Sequence, residues 1–207
     1  GISNSKTATK KELDREVNCF KKFQSKLNQS KIIIYISSFS VLDKTLKNDK
    51  YVKNKLIIEN SLKRSSFKYL IIRLTQVVGY NKNPFTLTNF FFNNIKKGKN
   101  FTLWSNTRRN LIDINEIKSI FKRIVSQKFN KNQEINICNP ISIKTEDIIN
   151  ILGGILKKKP KFKQLKFKKN SNYLYKSKIK NNKFSKYFKI KDYNEKLLKK
   201  YYKWIFQ

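Results

Sequence analysis

Two short apolar runs constrain this chain more than any other feature. Ile32–Ile36 (IIIYI) and Tyr69–Leu74 (YLIIRL) are almost continuously apolar and rich in β-branched residues. That is the pattern of strands buried on both faces of a parallel sheet. Between them, a segment beginning at Asp49 or Lys50 and running to Leu62 carries Val52, Leu56 and Glu59 on successive helical turns. Parallel neighbours need a crossover, and a helix is the usual one. A further helix is expected over Lys10–Leu27, where Leu13, Val17, Phe20 and Phe23 recur at three- and four-residue intervals opposite a charged face. Helix, strand, helix, strand makes an α/β doubly wound sheet the economical fold.

The downstream half reads as a second set of shorter elements. Gly1–Thr9 is a loop, and Gly79–Pro84 a turn cluster. A helix over Phe85–Lys97 uses Leu87, Phe90, Phe91 and Ile95 and is closed by Gly98. Strands are expected at Phe101–Trp104, Asn110–Ile114 and Glu134–Cys138. Helices are expected at Asn115–Phe129, with Ile117, Ile120, Phe121 and Ile124 inward, and at Ser142–Leu156, capped by Ser142 or Thr145. A final helix, Asn194–Phe206, sets Leu197, Leu198, Tyr201, Tyr202 and Ile205 on one face. The Lys157–Lys191 stretch is Lys-rich but keeps spaced aromatics, so it is not assigned to disorder.

Composition excludes several kinds of chemistry. The chain has no His, which removes Ser-His-Asp hydrolases, Cys-His proteases and His metal sites. Cys19 and Cys138 lie far apart in apolar contexts and make no metal pattern, so they are expected to be buried free thiols of a cytoplasmic protein. No run approaches the ~18 apolar residues of a membrane span. The net charge of +35 comes almost wholly from Lys, spread along the chain alongside abundant Asn, Ile, Phe and Tyr, with only 5 Gly and 3 Pro. Those abundant residues share AT-rich codons, so base composition is the main source of the charge. Non-specific polyanion binding that weakens with salt follows in any case. The chain holds no Met and begins at Gly1, as expected of a fragment, a processed product or an expressed piece of a longer chain.

The chemistry-bearing pattern sits at the end of the first run. Ser37 and Ser38 close the strand, Tyr51 follows Ser38 by 13 positions, and Lys55 follows Tyr51 by four. Helical i,i+4 spacing puts the ammonium on the face that bears the phenol. A free Tyr, with a pKa of ~10, is a poor base near neutral pH. A nearby cation favours the phenolate, and a group tuned this way can exchange a proton with a sugar or alcohol hydroxyl while hydride leaves. Tyr-x-x-x-Lys recurs at Tyr187–Lys191, without an upstream strand ending in Ser. The strand and Ser38 therefore carry the inference.

With these residues in place, the chain resembles the extended short-chain dehydrogenase/reductases, the NAD-dependent epimerase/dehydratase group that acts on nucleotide sugars. IIIYISSFSV is similar to that family's fifth strand and Ser/Thr motif, YVKNK to its Tyr-x-x-x-Lys motif, and YLIIRLTQVVG to its sixth strand with Arg-x-x-(Asn/Gln)-Val-x-Gly. NPFTLTNFFFNNIKKGKNFTLW, RRNLIDINEI, EINICNP with SIKTEDIINIL, and the segment SKIKNNKFSKYFKIKDYNEKLLKKYYKWI resemble later family segments in the same order. The resemblance implies an incomplete Rossmann-like parallel sheet over 1–82 and a small α/β substrate-binding region over 83–207, with a strand and helix around 110–129 returning to the sheet.

It also implies roles. Ser38 and Tyr51 would be the catalytic hydroxyl and general acid/base. Lys55 would hold the nicotinamide ribose of NAD or NADP and lower the Tyr51 pKa. Ser37, Thr75, Gln76 and Val77 would complete the cofactor contacts. Asn89 and Arg109 would bind the substrate, the arginine through its planar fork on the diphosphate. Asn18 is a loosely placed candidate for supporting the proton relay. Asn110, Asn115 and Glu116 depart from the family's acidic pattern. A homodimer through the Tyr51 helix is a further implication.

Two departures refine the reading. Family dehydratases carry an Asp-Glu pair after the catalytic Ser/Thr, where this chain has Phe39 and Ser40, so epimerase or ketoreductase chemistry is favoured over elimination. The family's Gly-x-x-Gly-x-x-Gly turn, which seats the pyrophosphate at a helix N-terminus, does not occur here, and Gly153-Gly154 lies in a late helix. The rival readings are a cofactor-less remnant with a binding or structural role, and a basic module for polyanions such as nucleic acid.

Overall fold

The computed structural model describes residues 9–28, 30–126, 132–166 and 190–203. The loop expected at 1–8, Tyr187 of the second Tyr-x-x-x-Lys and the end of the final helix beyond 203 lie outside the described residues. The chain divides into two compact units. The first comprises Gly1–Thr75 with Gln127–Ile137, and the second Gln76–Ser126 with Cys138–Gln207.

In the first unit, α1 (Lys10–Ser25) opens on a capping box in which Thr9 and Glu12 satisfy each other's backbone amides. β1 (Ile32–Ser38) follows, then two short 3₁₀ turns, then α2 (Lys50–Lys63), whose first turn is capped by the Asp49 carboxylate on the Val52 amide. β2 (Lys68–Leu74) runs parallel to β1 with Ile33 opposite Tyr69 and Ser37 opposite Arg73. The sheet order is β1-β2-β7, where β7 is Gln133–Ile137 and is parallel to β2. β7 thus joins β2 in the first unit.

β1 corrects an expectation. It is not buried on both faces. Ile33 is buried, with Tyr35 and Ser37 on the same face, while Ile32, Ile34 and Ile36 are 40%, 36% and 39% exposed. β1 stands at the edge of this sheet, and only the face turned towards the helices is covered. That face joins Ile33, Leu62, Phe67 and Ile71 in one cluster, with Phe20, Leu27, Tyr35 and Tyr69 packed against it. Burying four such side chains contributes about 1.5–3 kcal/mol each relative to exposure.

Phe23 falls off the expected apolar stripe of α1 and is exposed, and Cys19, expected as a buried thiol, is exposed as well. Cys138, by contrast, is buried.

The second unit is built from short pairs. β3 (Gln76–Val78) is parallel to β6 (Leu111–Asp113), β4 (Phe101–Trp104) is parallel to β9 (Phe162–Leu165), and β5 (Arg108–Arg109) is antiparallel to β8 (Ile143–Lys144). Helices α3 (Leu87–Lys96), α4 (Ile114–Val125), α5 (Thr145–Leu156) and α6 (Tyr193–Tyr202) surround them. α5 starts three residues later than its expected Ser142 cap. Arg108 explains this: its guanidinium donates to the Ser142 hydroxyl at 2.8 Å and to the Ser142 carbonyl at 2.5 Å, and Lys144 becomes the cap position. Thr145 pairs instead with the Thr107 hydroxyl at 2.8 Å.

Gly79 follows β3 for want of space. A Cβ there would stand 2.6 Å from Ile114 Cγ2 and 3.0 Å from Ile114 Cβ. Overpacking of this kind costs about 1–3 kcal/mol. Gly79→Ala is expected to lower the urea midpoint accordingly, with the m-value unchanged.

Candidate active site

The first unit brings Ser38, Tyr51 and Lys55 together. β1 ends at Ser38, whose Oγ caps the following turn by accepting from the Ser40 amide at 3.2 Å. That cap fixes the hydroxyl at the C-terminal end of the strand. Asp49 starts α2 so that Tyr51 lies in its first turn and Lys55 one turn later. The Ser38 hydroxyl lies on the Tyr51 side of the site, where it lowers the phenol's pKa. The Lys55 ammonium lies 5.6 Å from the Tyr51 ring centroid and 5.4 Å from that of Tyr35, within cation–π range.

Lys55 is buried, its side chain only 5% exposed. Its partner is Glu16 of α1: Lys55 Nζ donates to Glu16 Oε1 at 2.7 Å, and Asn54 Nδ2 donates to Glu16 Oε2 at 2.9 Å. Sequence reasoning missed Glu16 and named Asn18, which is exposed. The available signal was position. Glu16 lies three residues after Leu13 and four before Phe20, so it sits on the apolar stripe itself.

The Tyr51 phenol is pushed above its ordinary value, first by burial and then by the Glu16 and Asp49 carboxylates; the Ser38 hydroxyl opposes this. The direction is opposite to the tuning expected from Lys55. The physical reason is burial, which penalises the charged phenolate, with the Glu16 and Asp49 carboxylates acting in the same direction.

Ser37 points into a separate buried network. Its hydroxyl donates to Glu59 Oε1 at 2.6 Å, and Arg73 of β2 donates to the same carboxylate through Nε at 2.9 Å and Nη2 at 2.5 Å. Arg73 Nη2 also donates to Glu134 of β7 at 2.5 Å. Glu59 is fully buried. The network pins α2 to both neighbouring strands and so fixes the helix that carries Tyr51 and Lys55.

The remaining expected residues have these places. Thr75 follows β2 in the first unit. Gln76 and Val77 open β3 in the second, paired with Leu111 and Ile112. Gln76 Oε1 is buried and accepts no hydrogen bond among the described residues, an acceptor position suited to an amide donor. Asn89 is in the first turn of α3. Its amide donates to the Asn81 carbonyl at 3.1 Å and the Asn83 carbonyl at 2.8 Å, and its Oδ1 accepts from the Tyr202 hydroxyl. These bonds tie the preceding turn and α6 to α3. Arg109 lies half-buried on β5. Asn110 is buried, donating to the Asn139 carbonyl at 2.6 Å and accepting from the Asn139 amide at 2.9 Å. Asn115 donates its amide to Asp113, and Glu116 accepts from the Tyr193 hydroxyl, so both serve the α4 start and its contact with α6.

No family profile matches the chain, and no curated protein matches its sequence. Solved structures do match. UDP-N-acetylglucosamine 4-epimerase of Methanobrevibacter ruminantium, solved with UDP-N-acetylmuramic acid, aligns with a TM-score of 0.63 and 19% identity over 93% of this chain and 68% of that one. UDP-glucose 4-epimerase of Thermus thermophilus, solved with NAD, aligns at 0.55 and 13% over 75% and 55%. The chain shares the fold of the nucleotide-sugar epimerases. A Pseudomonas aeruginosa protein solved with NADPH aligns at 0.57 and 15% over 73% and 58%. At these identities the likeness is one of fold, and the chain spans 55% of the Thermus epimerase's length. The Rossmann-like α/β expectation is met by these neighbours. No helix among the described residues is long and apolar enough to cross a membrane.

Proposed function

We propose that the protein bearing this chain is an NAD(P)-dependent nucleotide-sugar epimerase or ketoreductase in which Tyr51 moves the proton. The observation that carries the reading is the Lys55 ammonium 5.6 Å from the Tyr51 ring and held there by Glu16, with Ser38 acting on the phenol from the end of β1. The fold neighbours support it, since those solved with ligands carry NAD, NADPH or UDP-sugars.

The residues fit the nicotinamide end of such a cofactor. Tyr51 and Lys55 present a hydroxyl and an ammonium from successive turns, suited to ribose hydroxyls. When bound, the nicotinamide supplies the hydride acceptor and, oxidised, a positive charge. Ser38 orients the sugar oxygen by a hydrogen bond. Tyr51, protonated at neutral pH because burial raises its pKa, donates a proton to a keto oxygen in the reductive direction. In the oxidative direction the phenolate is needed, so that rate rises with pH on the alkaline side. Phe39 and Ser40 offer no carboxylate pair after Ser38, which favours inversion or reduction at a carbinol carbon over loss of water. Arg109 is assigned the substrate diphosphate and Asn89 the nucleotide side, the latter through its backbone because its amide is engaged.

The test is to supply UDP-hexoses and UDP-N-acetylhexosamines with NAD and follow the sugar proton NMR signals. Appearance of the C4 epimer, or of reduced sugar from a keto substrate with NAD(P)H, is expected. No conversion of any nucleotide sugar with either cofactor would exclude the assignment.

A further inference from the structure

A carboxylate clamps the ammonium next to the candidate general acid, and nothing in the motif requires it. Glu16 belongs to α1, while Asn54 and Lys55 are adjacent residues of α2. One Glu16 oxygen takes the amide and the other takes the ammonium, at 2.9 and 2.7 Å. The Glu16 side chain is 13% exposed and that of Lys55 5%, so the pair is largely withdrawn from water. At such a position removing one partner leaves an uncompensated buried charge.

The geometry points to Glu16 as a positioning residue of the acid–base pair, which fixes the Lys55 side chain through a two-point bridge and sets a carboxylate beside the Tyr51–Lys55 face. The bridge limits the freedom of the four-carbon Lys stem, whose head would otherwise be steered only by two aromatic rings. It leaves two of the three ammonium hydrogens for other acceptors. Its charge keeps the phenol protonated, acting with burial.

The charged and titratable groups around Tyr51 come from each element packed on α2. They are Glu16 from α1, Tyr35 from β1, and the capping Asp49 and Lys55 of α2; Glu59 of α2 acts on Tyr35, and Arg73 of β2 is paired with Glu59. The 3₁₀ turn Phe39–Leu42 carries no ionisable side chain. Arg73 is committed to Glu59 and Glu134, and Asp49 to the Val52 amide. Glu16 is therefore the acid whose removal changes the phenol's surroundings without breaking the strand network.

The inference rests on the reading of Tyr51 and Lys55 given above, but its test does not need turnover. Tyrosinate absorbance is titrated in the protein and in Tyr51→Phe, and the difference isolates the Tyr51 step. Glu16→Gln keeps the shape and, through its one amide oxygen, the Lys55 contact; its NH2 faces Asn54, whose amide can turn to accept from it, and the charge is lost. The Tyr51 step is expected to move to lower pH in Glu16→Gln and to stay at its parental position in Glu16→Asp. A folded Glu16→Gln protein with an unmoved or alkaline-shifted step overturns the proposal. Where Glu16→Gln does not fold, Lys55→Met and Lys55→Met/Glu16→Gln supply the same comparison. The step must lie at lower pH in the double variant, and equal steps overturn the proposal. A shifted step in a protein that converts no nucleotide sugar would retain the Glu16 assignment and remove the catalytic one.

Discussion

Tyr51→Phe is expected to lower turnover of the preferred nucleotide sugar by about 10²–10⁴-fold. The phenol is the only proton-transfer group assigned to the reacting oxygen, and Phe keeps the ring and its packing while deleting the hydroxyl. Lys55 loses nothing by the change, since its cation–π contact uses the ring and its ion pair uses Glu16. Folding should be nearly unaffected, because the ring stays in place and Ser38 keeps its cap on the following turn. The measurement is kcat with the near-ultraviolet circular dichroism of both proteins. An unchanged spectrum with unchanged kcat would remove Tyr51 from the chemistry.

Arg73→Met is expected to destabilise the protein by about 3–5 kcal/mol, the usual cost of stranding one partner of a buried pair. Glu59, fully buried, would keep only the Ser37 hydroxyl. Glu134 would keep Lys63, at 2.6 Å, and is partly exposed, so little of the loss arises there. The double variant Arg73→Met/Glu59→Leu leaves no buried charge and should recover most of the stability. Ser37→Ala should cost only about 1–2 kcal/mol, because Arg73 still satisfies the carboxylate. Urea unfolding of the four proteins checks the order. A single-variant loss equal to that of the double variant would show that the pair carries no mutual stabilisation.

These expectations separate what was legible in the sequence from what was not. The βαβ core could be read because strand runs and helix spacing are local signals: Ile32–Ile36, Tyr69–Leu74 and the segment between them all form as expected. Exposure of Ile32, Ile34 and Ile36 could not be read, since whether a strand is central or at an edge depends on which segments pair with it. The second unit's helices start within three residues of their expected positions. The α5 start was missed because a long-range contact from Arg108, on another strand, claims Ser142.

At the site, Ser38, Tyr51 and Lys55 were legible because a strand end and an i,i+4 helix pair have fixed geometry. Ser37 and Asn89 were also singled out, but the structure commits their side chains to Glu59 and to the Asn81–Asn83 turn with Tyr202. Glu16 was missed for the converse reason. An acidic residue on a helix stripe has no motif, and its meaning comes only from the lysine that tertiary packing brings to it.

The central claim is that the Tyr51–Lys55 face receives a nicotinamide cofactor. The most direct measurement is a titration of the protein with NADH, followed by nicotinamide fluorescence. Glu16→Gln serves as background, so that no carboxylate is stranded when the lysine is removed. Adding Lys55→Met to that background is expected to weaken binding about 10–100-fold, the worth of hydrogen bonds from a charged donor. Lys191→Met, in the second Tyr-x-x-x-Lys, is expected to leave binding unchanged. Absence of saturable binding, or equal affinity with and without Lys55, would contradict the account.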